Sequence, residues 1–227
     1  MSDHIEGTLT SSRIGRRRTG VGSRPASAVG YGDDAEETAR RYEAVPFEVV
    51  HDDFLPWLPT APSRVADIGA GSGRDAAALS ALGHQVVAVE PTPELRDVAQ
   101  RLHTEATITW VDDALPDLNS LRGTFDLILL SAVWMHLDEH ERTEGMRRLA
   151  ELVSPGGCVA ISLRHGPVPA GRRMFDVSAA ETIALAAPYG LVPVHHGEEP
   201  DVLGRTRVGW SNLVFRAEHH TKPGESR

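Results

Sequence analysis

The sequence predicts an α/β fold, with a doubly wound, mostly parallel sheet of seven strands flanked by helices. Beyond Pro62, short apolar segments of strand length alternate with longer segments that have helical periodicity. The segment "VADIGAGSGRDAAALSALGHQVVAVEP", Val65 to Pro91, joins two of these strands through a glycine-rich turn and a helix. Strands that alternate with helices in this way pair in parallel and bind ligands at their carboxyl ends.

The individual elements follow from the same periodicity and from the residues that start and stop them. Gly83 and the pair Gly156-Gly157 are typical helix stop signals, and Ser178 with Glu181 predicts a capping box at the last helix. The predicted strands are Arg64–Ile68, Gln85–Glu90, Thr107–Val111, Phe125–Ser131, Cys158–Leu163, Leu191–Val194 and Trp210–Arg216. The predicted helices are Gly73–Leu82, Pro93–Leu102, Glu139–Val153 and Ala179–Ala187, preceded by N-terminal helices that are broken near Pro46 and Pro56.

Residues 1–30 are rich in serine, glycine and arginine and show no hydrophobic period, so we predict a flexible basic arm. This arm carries five arginines against two acidic residues. It is interpreted either as a solvated tail or as an electrostatic contact with a partner. Residues 31–218 would form the folded domain, and residues 219–227 would form a disordered tail.

Composition excludes several classes of protein. A net charge of −9 argues against a protein that coats nucleic acid, because phosphate binding needs a positive surface. Cys158, the one cysteine, excludes an internal disulfide and a multi-cysteine zinc site, which favours a cytoplasmic location. No apolar run is long enough for a membrane span, no secretion signal is visible, and no residue spacing indicates a metal site. The sequence leaves the oligomeric state open.

The glycine-rich turn predicts a nucleoside site. Gly69, Gly71 and Gly73 follow a strand, and without Cβ atoms the backbone there can turn sharply and approach a ligand. Their spacing differs from the dinucleotide pattern G-x-G-x-x-G, because Arg74 stands where the third glycine would be. Glu90 ends the next strand, 21 residues after Gly69, where a carboxylate can accept both ribose hydroxyl hydrogens. These features do not decide which nucleoside is bound.

Five segments carry a resemblance to a known family: "VADIGAGSGRDAAAL", "VVAVEP", "WVDDALPDL", "FDLILLSAVWMHL" and "LVSPGGCVAISLRHG". Together they resemble the class I S-adenosylmethionine-dependent methyltransferases, especially bacterial members that act on small molecules. The likeness covers roughly residues 60–165. It implies a Rossmann-like methyltransferase fold with the N-terminal helices as a lid, and S-adenosylmethionine as the cofactor.

The resemblance also implies roles for individual residues around the cofactor. The methionine portion would lie against the glycine turn, the ribose against the end of the second strand, and the adenine against the acidic pair after the third. An acid followed by alanine is common there in the family, but glycine is common where Asp112 stands, so Asp112 and Asp113 both remain candidates for the adenine contact. The implied cofactor-binding residues are Asp67, Gly69, Ala70, Gly71, Gly73, Glu90, Pro91, Asp112, Asp113 and Ser131.

A methyl acceptor with a hydroxyl or amine group needs a base, which we expect in the loops after strands four and five. His136 follows strand four and His165 follows strand five, and the near-neutral pKa of histidine suits proton removal. Tyr42, in an N-terminal helix, is a third catalytic candidate. The structural alternatives are a helix-entry residue packed beside the cofactor for His136 and core packing for Tyr42.

The substrate side is predicted from Trp134, next to His136, and from an arginine cluster, Arg164, Arg172 and Arg173. The planar guanidinium group matches a carboxylate or phosphate, so these arginines favour an anionic substrate if their loop folds over the site. The alternative is that they pair with the acids of "HHGEEPD" and only hold loops together.

The first functional hypothesis is methyl transfer from S-adenosylmethionine to an oxygen or nitrogen of a small molecule, in a biosynthetic or tailoring pathway. The Asp/Asn-Pro-Pro-aromatic run of enzymes that methylate base amines is missing after strand four. Cys158 lies inside a predicted buried strand, so it is a poor nucleophile for pyrimidine carbon-5 methylation. Two alternatives stay open: an RNA or protein methyltransferase guided by the basic arm, and a cofactor-binding protein without transfer activity.

Overall fold

The computed structural model describes residues 25–218. The predicted tail, and the predicted arm up to residue 24, lie outside the described residues. Residues 25–30 were assigned to the arm, but they pack against the domain. They include a 3-10 helix at Ala26–Ala28, and Ala28 is only 4% exposed. The folded part therefore begins earlier than the composition predicted.

A seven-stranded sheet forms the centre of the molecule, with the strand order β3-β2-β1-β4-β5-β7-β6. Strands β1 to β5 pair in parallel, and β7 lies antiparallel between β5 and β6. The order reverses between β1 and β4, and the crevice at such a point is the usual ligand site of a doubly wound sheet. The strands are β1 (Arg64–Ile68), β2 (Gln85–Val89), β3 (Ile108–Val111), β4 (Phe125–Ser131), β5 (Val153–His165), β6 (Leu191–Pro200) and β7 (Gly209–Ala217). The predicted fold class is confirmed.

The helices α1 to α6 lie close to their predicted positions. Their bounds are Ala35–Glu43, Phe47–Val50, Arg74–Ala81, Pro93–Leu102, Glu139–Leu152 and Ala179–Ala186. At the start of α5, Asp138 and Glu141 form a complete capping box. At α6, Ser178 accepts the N–H of Glu181, but the Glu181 carboxylate pairs with Arg142 at 2.7 Å instead of closing the box. The predicted capping box is thus half formed, because a nearly buried guanidinium group competes for the acid.

The core lies on both faces of the sheet. Leu127 and Leu129 of β4 belong to one apolar cluster, whereas Ile128 and Leu130 belong to the other. Side chains alternate between the faces of a strand, so a continuous apolar run is what a strand covered on both sides requires. Cys158 of β5 is 6% exposed, as its position in a predicted buried strand implied. Within residues 25–218, no helix combines the length and apolar character that crossing a membrane would require.

Candidate functional site

The glycine turn between β1 and α3 needs glycine for two reasons. Gly69, Gly71 and Gly73 have φ angles of +74°, +55° and +84°, in the left-handed region that other residues rarely adopt. A Cβ atom on Gly69 would also lie 2.5 Å from a methyl group of Val133, which follows β4. On Gly73 it would lie 2.9 Å from the Trp110 ring. The turn is therefore packed tightly against its neighbours and leaves its backbone exposed to the cavity described below.

Glu90 fastens the end of β2 to the glycine turn. Its side chain is buried, and its two oxygens accept the N–H groups of Gly71 at 2.9 Å and Thr92 at 2.7 Å. Burial raises the pKa of Glu90 above its usual value, although these N–H groups and Arg96 act in the opposite direction. A carboxylate oxygen can accept more than one hydrogen bond, so Glu90 retains acceptor capacity towards the cavity that it lines.

Asp67 lies below the turn rather than at the cavity surface, since it is 1% exposed and does not line the cavity. Burial, followed by the nearby Asp75 carboxylate, raises the pKa of Asp67 well above its usual value. One of its carboxylate oxygens has no hydrogen-bond partner in the described part of the chain. Burial would also raise the pKa of Asp75, but His51 at 2.8 Å and Arg74 at 2.6 Å outweigh burial and lower it. The surroundings therefore favour the protonated form of Asp67 and the ionised form of Asp75.

One cavity of about 340 Å³ lies at the carboxyl ends of β1, β2 and β4. This volume is in the range of small-molecule sites. Of the predicted cofactor residues, Gly69, Ala70, Gly71, Glu90, Pro91, Asp113 and Ser131 line the cavity, whereas Asp67, Gly73 and Asp112 do not. A second group of lining residues, here called the second wall, consists of Tyr31, Tyr42, His136, Arg164 and Arg172. The proposed lid function of the N-terminal helices stays a prediction, although Tyr42 of α1 forms part of this wall.

The structure separates the two acids that follow β3. Asp112 points outward, with 68% of its side chain exposed, and pairs with Arg96 at 3.1 Å. Asp113 lines the cavity, and its carboxylate accepts the N–H groups of Ala114 at 2.8 Å and Ser120 at 2.6 Å. Of the two candidates for the adenine contact, Asp113 lines the cavity and Asp112 does not, and the contact itself stays a prediction.

His136 is buried in the cavity wall and has partners at both ring nitrogens. Nδ1 lies 2.6 Å from the Arg173 carbonyl oxygen, and Nε2 lies 2.9 Å from the Tyr31 hydroxyl. Burial, with Arg172 and Arg173 nearby, lowers the pKa of His136 below its usual value. Sequence reasoning missed Tyr31, which lies 105 residues from His136 in a glycine-rich segment. No local pattern marks such a residue, since only folding brings it to the site.

The arginine cluster divides into different roles. Arg173 pairs with Asp138 at 2.8 Å and Glu141 at 2.7 Å at the start of α5, and it does not line the cavity. The cavity lining therefore gives no support to its predicted substrate contact. The alternative pairing of Arg173 with the acids of "HHGEEPD" is wrong, because Arg173 pairs with the two acids of the α5 cap instead. Arg172 lies 3.4 Å above the Tyr31 ring, with a buried Nη1 that has no hydrogen-bond partner among the described residues. Arg164 lines the cavity and donates to the Pro167 carbonyl.

One further prediction is contradicted and two are left open. Trp134 has no exposed surface and packs under α5 against Gly145, because the 3-10 helix at Trp134–His136 directs it into the core. His165 does not line the cavity, and its Nε2 lies 2.6 Å from the Ser211 hydroxyl on β7. The buried Trp134 side chain cannot contact a ligand in the cavity, whereas the catalytic role of His165 stays a prediction. Tyr42 does line it, with its ring 3.4 Å from the position of a Cβ on Gly71.

The structure also brings together a group of acids that spacing did not indicate. Asp52, Asp53 and Glu199 have carboxylate oxygens within 4.8 Å of one another, and none of the three lines the cavity. Burial, followed by Asp53 and Asp52, raises the pKa of Glu199. His195 lies 3.3 Å from Asp53. These side chains belong to segments that are far apart in the sequence, so no local motif could have found them.

Comparison with known proteins agrees with this architecture. Residues 65–157 match the family model described as a methyltransferase domain. The ubiquinone biosynthesis O-methyltransferase of Xanthomonas euvesicatoria is 33% identical over 143 residues, which is 61% of this chain and 56% of that protein. The chain thus spans little more than half the length of such relatives.

Solved structures extend the similarity beyond residues 65–157, to more than four fifths of the chain. Magnesium protoporphyrin IX methyltransferase from Synechocystis, solved with bound S-adenosylhomocysteine, has a TM-score of 0.65 and 18% identity, covering 83% of this chain and 96% of that one. A TehB-like S-adenosylmethionine-dependent methyltransferase from Corynebacterium glutamicum has a TM-score of 0.61 and 23% identity, covering 81% and 98%. Residues 65–157 therefore match a methyltransferase domain, and the described fold is that of solved S-adenosylmethionine-dependent methyltransferases.

Proposed function

We propose that this protein transfers a methyl group from S-adenosylmethionine to an oxygen or nitrogen of a small anionic molecule, in a biosynthetic or tailoring pathway. The observation that carries the proposal is a single cavity with two different walls. One wall is the glycine turn with Glu90, and the other holds Tyr31, His136 and Arg172. The relatives named as O-methyltransferases of ubiquinone biosynthesis support a biosynthetic role and an oxygen acceptor.

The residues of the first wall fit the cofactor. Glu90 would accept the ribose hydroxyls, Asp113 would face the adenine, and Ser131 would lie near the methyl donor. At Gly71 a Cβ atom would project between the turn and Tyr42, only 3.4 Å from the tyrosine ring, and would fill space that the ligand needs. S-adenosylmethionine supplies an activated methyl group on a sulfonium. The protein's task is therefore to align the acceptor, which is worth roughly 7–11 kcal/mol of the barrier.

Arg172 supports an anionic acceptor. Its guanidinium group keeps a buried, unpartnered Nη1 at the cavity wall, within the described chain, and a buried donor without a partner is costly. A carboxylate or phosphate on the acceptor would satisfy this donor. Arg205, which also lines the cavity, is already paired with Asp201 at 2.6 Å, so Arg172 is the better candidate.

Calorimetric titration with S-adenosylmethionine, S-adenosylhomocysteine and NAD tests the cofactor assignment. We expect micromolar binding of the first two ligands and none of NAD, and binding of NAD alone would refute the proposal.

A turnover screen tests the anionic acceptor by comparing small carboxylates and phosphates with their neutral amides and alcohols. Arg172→Met should raise KM for the anionic acceptors only, whereas Arg101→Met, an exposed arginine that pairs with Glu36 on the surface, should leave KM unchanged.

A further inference from the structure

We propose that Tyr31 is a catalytic residue that relays the acceptor's proton to His136, so that the atom methylated is a hydroxyl oxygen. This inference rests on the methyl transfer proposed above. It concerns a residue outside the matched domain, residues 65–157, in the short segment that precedes α1.

The hydrogen bonds around His136 determine which nitrogen carries its proton. A carbonyl oxygen can only accept, so the 2.6 Å contact with the Arg173 carbonyl requires a proton on Nδ1. The ring is 5% exposed and its lowered pKa keeps it neutral near pH 7, so Nε2 carries a lone pair. At 2.9 Å from Nε2, the Tyr31 hydroxyl must therefore be the donor. Tyr31 then directs its proton at a base, and its oxygen can accept from the neighbouring Tyr42 hydroxyl, with which it is hydrogen-bonded, or from a bound acceptor.

Tyr31 is held in this arrangement from both sides. Its ring meets the His136 ring edge-on with centroids 5.5 Å apart, and the Arg172 guanidinium lies 3.4 Å above it. Burial, together with neighbouring Tyr42, raises the pKa of Tyr31, so the hydroxyl stays protonated at any working pH. Tyr31 also lines the cavity, and the relay requires that a bound acceptor reach its oxygen from there.

The proton transfer balances without any other reactant. The acceptor oxygen attacks the methyl carbon, the carbon–sulfur bond breaks, and its electron pair remains on sulfur. The acceptor's proton passes to the Tyr31 oxygen while the Tyr31 proton passes to Nε2 of His136. The products are a methyl ether, a neutral thioether and an imidazolium, so one positive charge is present before and after. The Arg173 carbonyl stabilises that imidazolium until its proton reaches solvent.

The charged and titratable groups around this pair set its pH dependence. Arg172 and Arg173 both face His136 and disfavour its protonated form, while the backbone carbonyl of Arg173 favours it. Tyr42 and Glu90 act on Tyr31. Because burial and the two arginines prevail, the pKa of His136 lies below its ordinary value of 6.5. We expect kcat/KM to be constant near neutral pH and to fall as the pH drops through this lowered pKa.

The test combines NMR of the protein with kinetics of Tyr31→Phe. Phenylalanine keeps the aromatic ring under Arg172, so the Tyr31→Phe variant should fold. The matched control is Tyr189→Phe, because Tyr189 does not line the cavity. In ¹⁵N-histidine spectra, the wild-type protein should show His136 protonated at Nδ1 alone, and Tyr31→Phe should shift the Nε2 signal of His136.

The kinetic test uses phenol acceptors that are un-ionised at the assay pH. With these, Tyr31→Phe should lower kcat by a factor of roughly 10²–10⁴, the usual contribution of positioned proton transfer. With a nitrophenol that is already ionised, the loss should be less than about tenfold.

The possible outcomes separate this inference from the proposed function. A proton on Nε2 of His136 in the wild-type spectra overturns the relay, whatever the acceptor. An equal loss of kcat for ionised and un-ionised phenols also overturns the relay, and so does turnover that is confined to amines. In both cases the proposed methyl transfer itself would still stand. Failure to bind S-adenosylhomocysteine in calorimetry would instead overturn the proposed function.

Discussion

Replacing Glu90 with alanine tests the link between the glycine turn and the cofactor. The carboxylate accepts the N–H groups of Gly71 and Thr92 and is proposed to accept two ribose hydroxyls as well. A hydrogen bond to a charged group contributes about 1.5–3 kcal/mol. We take the lower value, since each oxygen is already shared with a backbone donor, and expect a loss of about 3 kcal/mol for the two hydroxyls. This corresponds to roughly 100-fold weaker binding of S-adenosylmethionine.

The same change should leave the fold intact. It removes the acceptors of two backbone N–H groups, at a cost of about 1 kcal/mol each when water can replace them. Gly71 and Thr92 both line the cavity, so water can reach them. Removing a buried carboxylate with a raised pKa also relieves its desolvation, which offsets part of that cost. We therefore expect the free energy of unfolding to fall by less than about 2 kcal/mol.

Calorimetry with S-adenosylmethionine and S-adenosylhomocysteine measures the binding, and urea unfolding measures the stability. Glu105→Ala, at an exposed carboxylate between α4 and β3, serves as the control and should change neither quantity. Glu90→Gln keeps one acceptor oxygen and should bind with intermediate affinity. Unchanged affinity in a folded Glu90→Ala variant would refute the placement of the ribose.

Three further predictions concern the glycine turn, the acids after β3 and the buried acid of β1. Gly69→Ala should lower the free energy of unfolding by about 2–4 kcal/mol, because it combines left-handed backbone strain with a steric clash against Val133. The control is Gly83→Ala, at φ +89° with nothing within 4 Å, which should show the backbone strain alone. Equal losses for the two variants in urea unfolding would disprove the clash. Asp113→Asn should weaken S-adenosylmethionine binding about tenfold in calorimetry, whereas Asp112→Ala should leave it unchanged, and the reverse result would transfer the adenine contact to Asp112. The folded-state pKa of Asp67 is raised above 3.8, so wild-type stability should fall as the pH rises through that raised pKa. Asp67→Asn should remove this fall, and identical pH profiles of urea unfolding for the two proteins would contradict the assignment.

Local sequence patterns determined the fold class, most element boundaries and the first wall of the cavity. The order of strands and helices, the glycine turn and the acid at the end of β2 each depend on neighbours within about one strand–helix–strand unit. Gly69 and Gly73 show why, since their positive φ angles are a local requirement that their residue type reveals. The capping box of α5 is local in the same way, because Asp138 and Glu141 are only three residues apart.

Only the tertiary structure decided which of the candidate side chains line the cavity and what they contact. Sequence could not distinguish Asp112 from Asp113, because adjacent residues differ in direction only once the chain is packed. It predicted Trp134 at the substrate, whereas packing under α5 buried that side chain completely. It missed Tyr31, whose partner His136 is 105 residues away. Hydrogen bonds between such distant residues depend on the packing of the whole chain, which no local pattern encodes. Local sequence patterns therefore determined where a nucleoside can bind, and the tertiary structure decided which side chains face it.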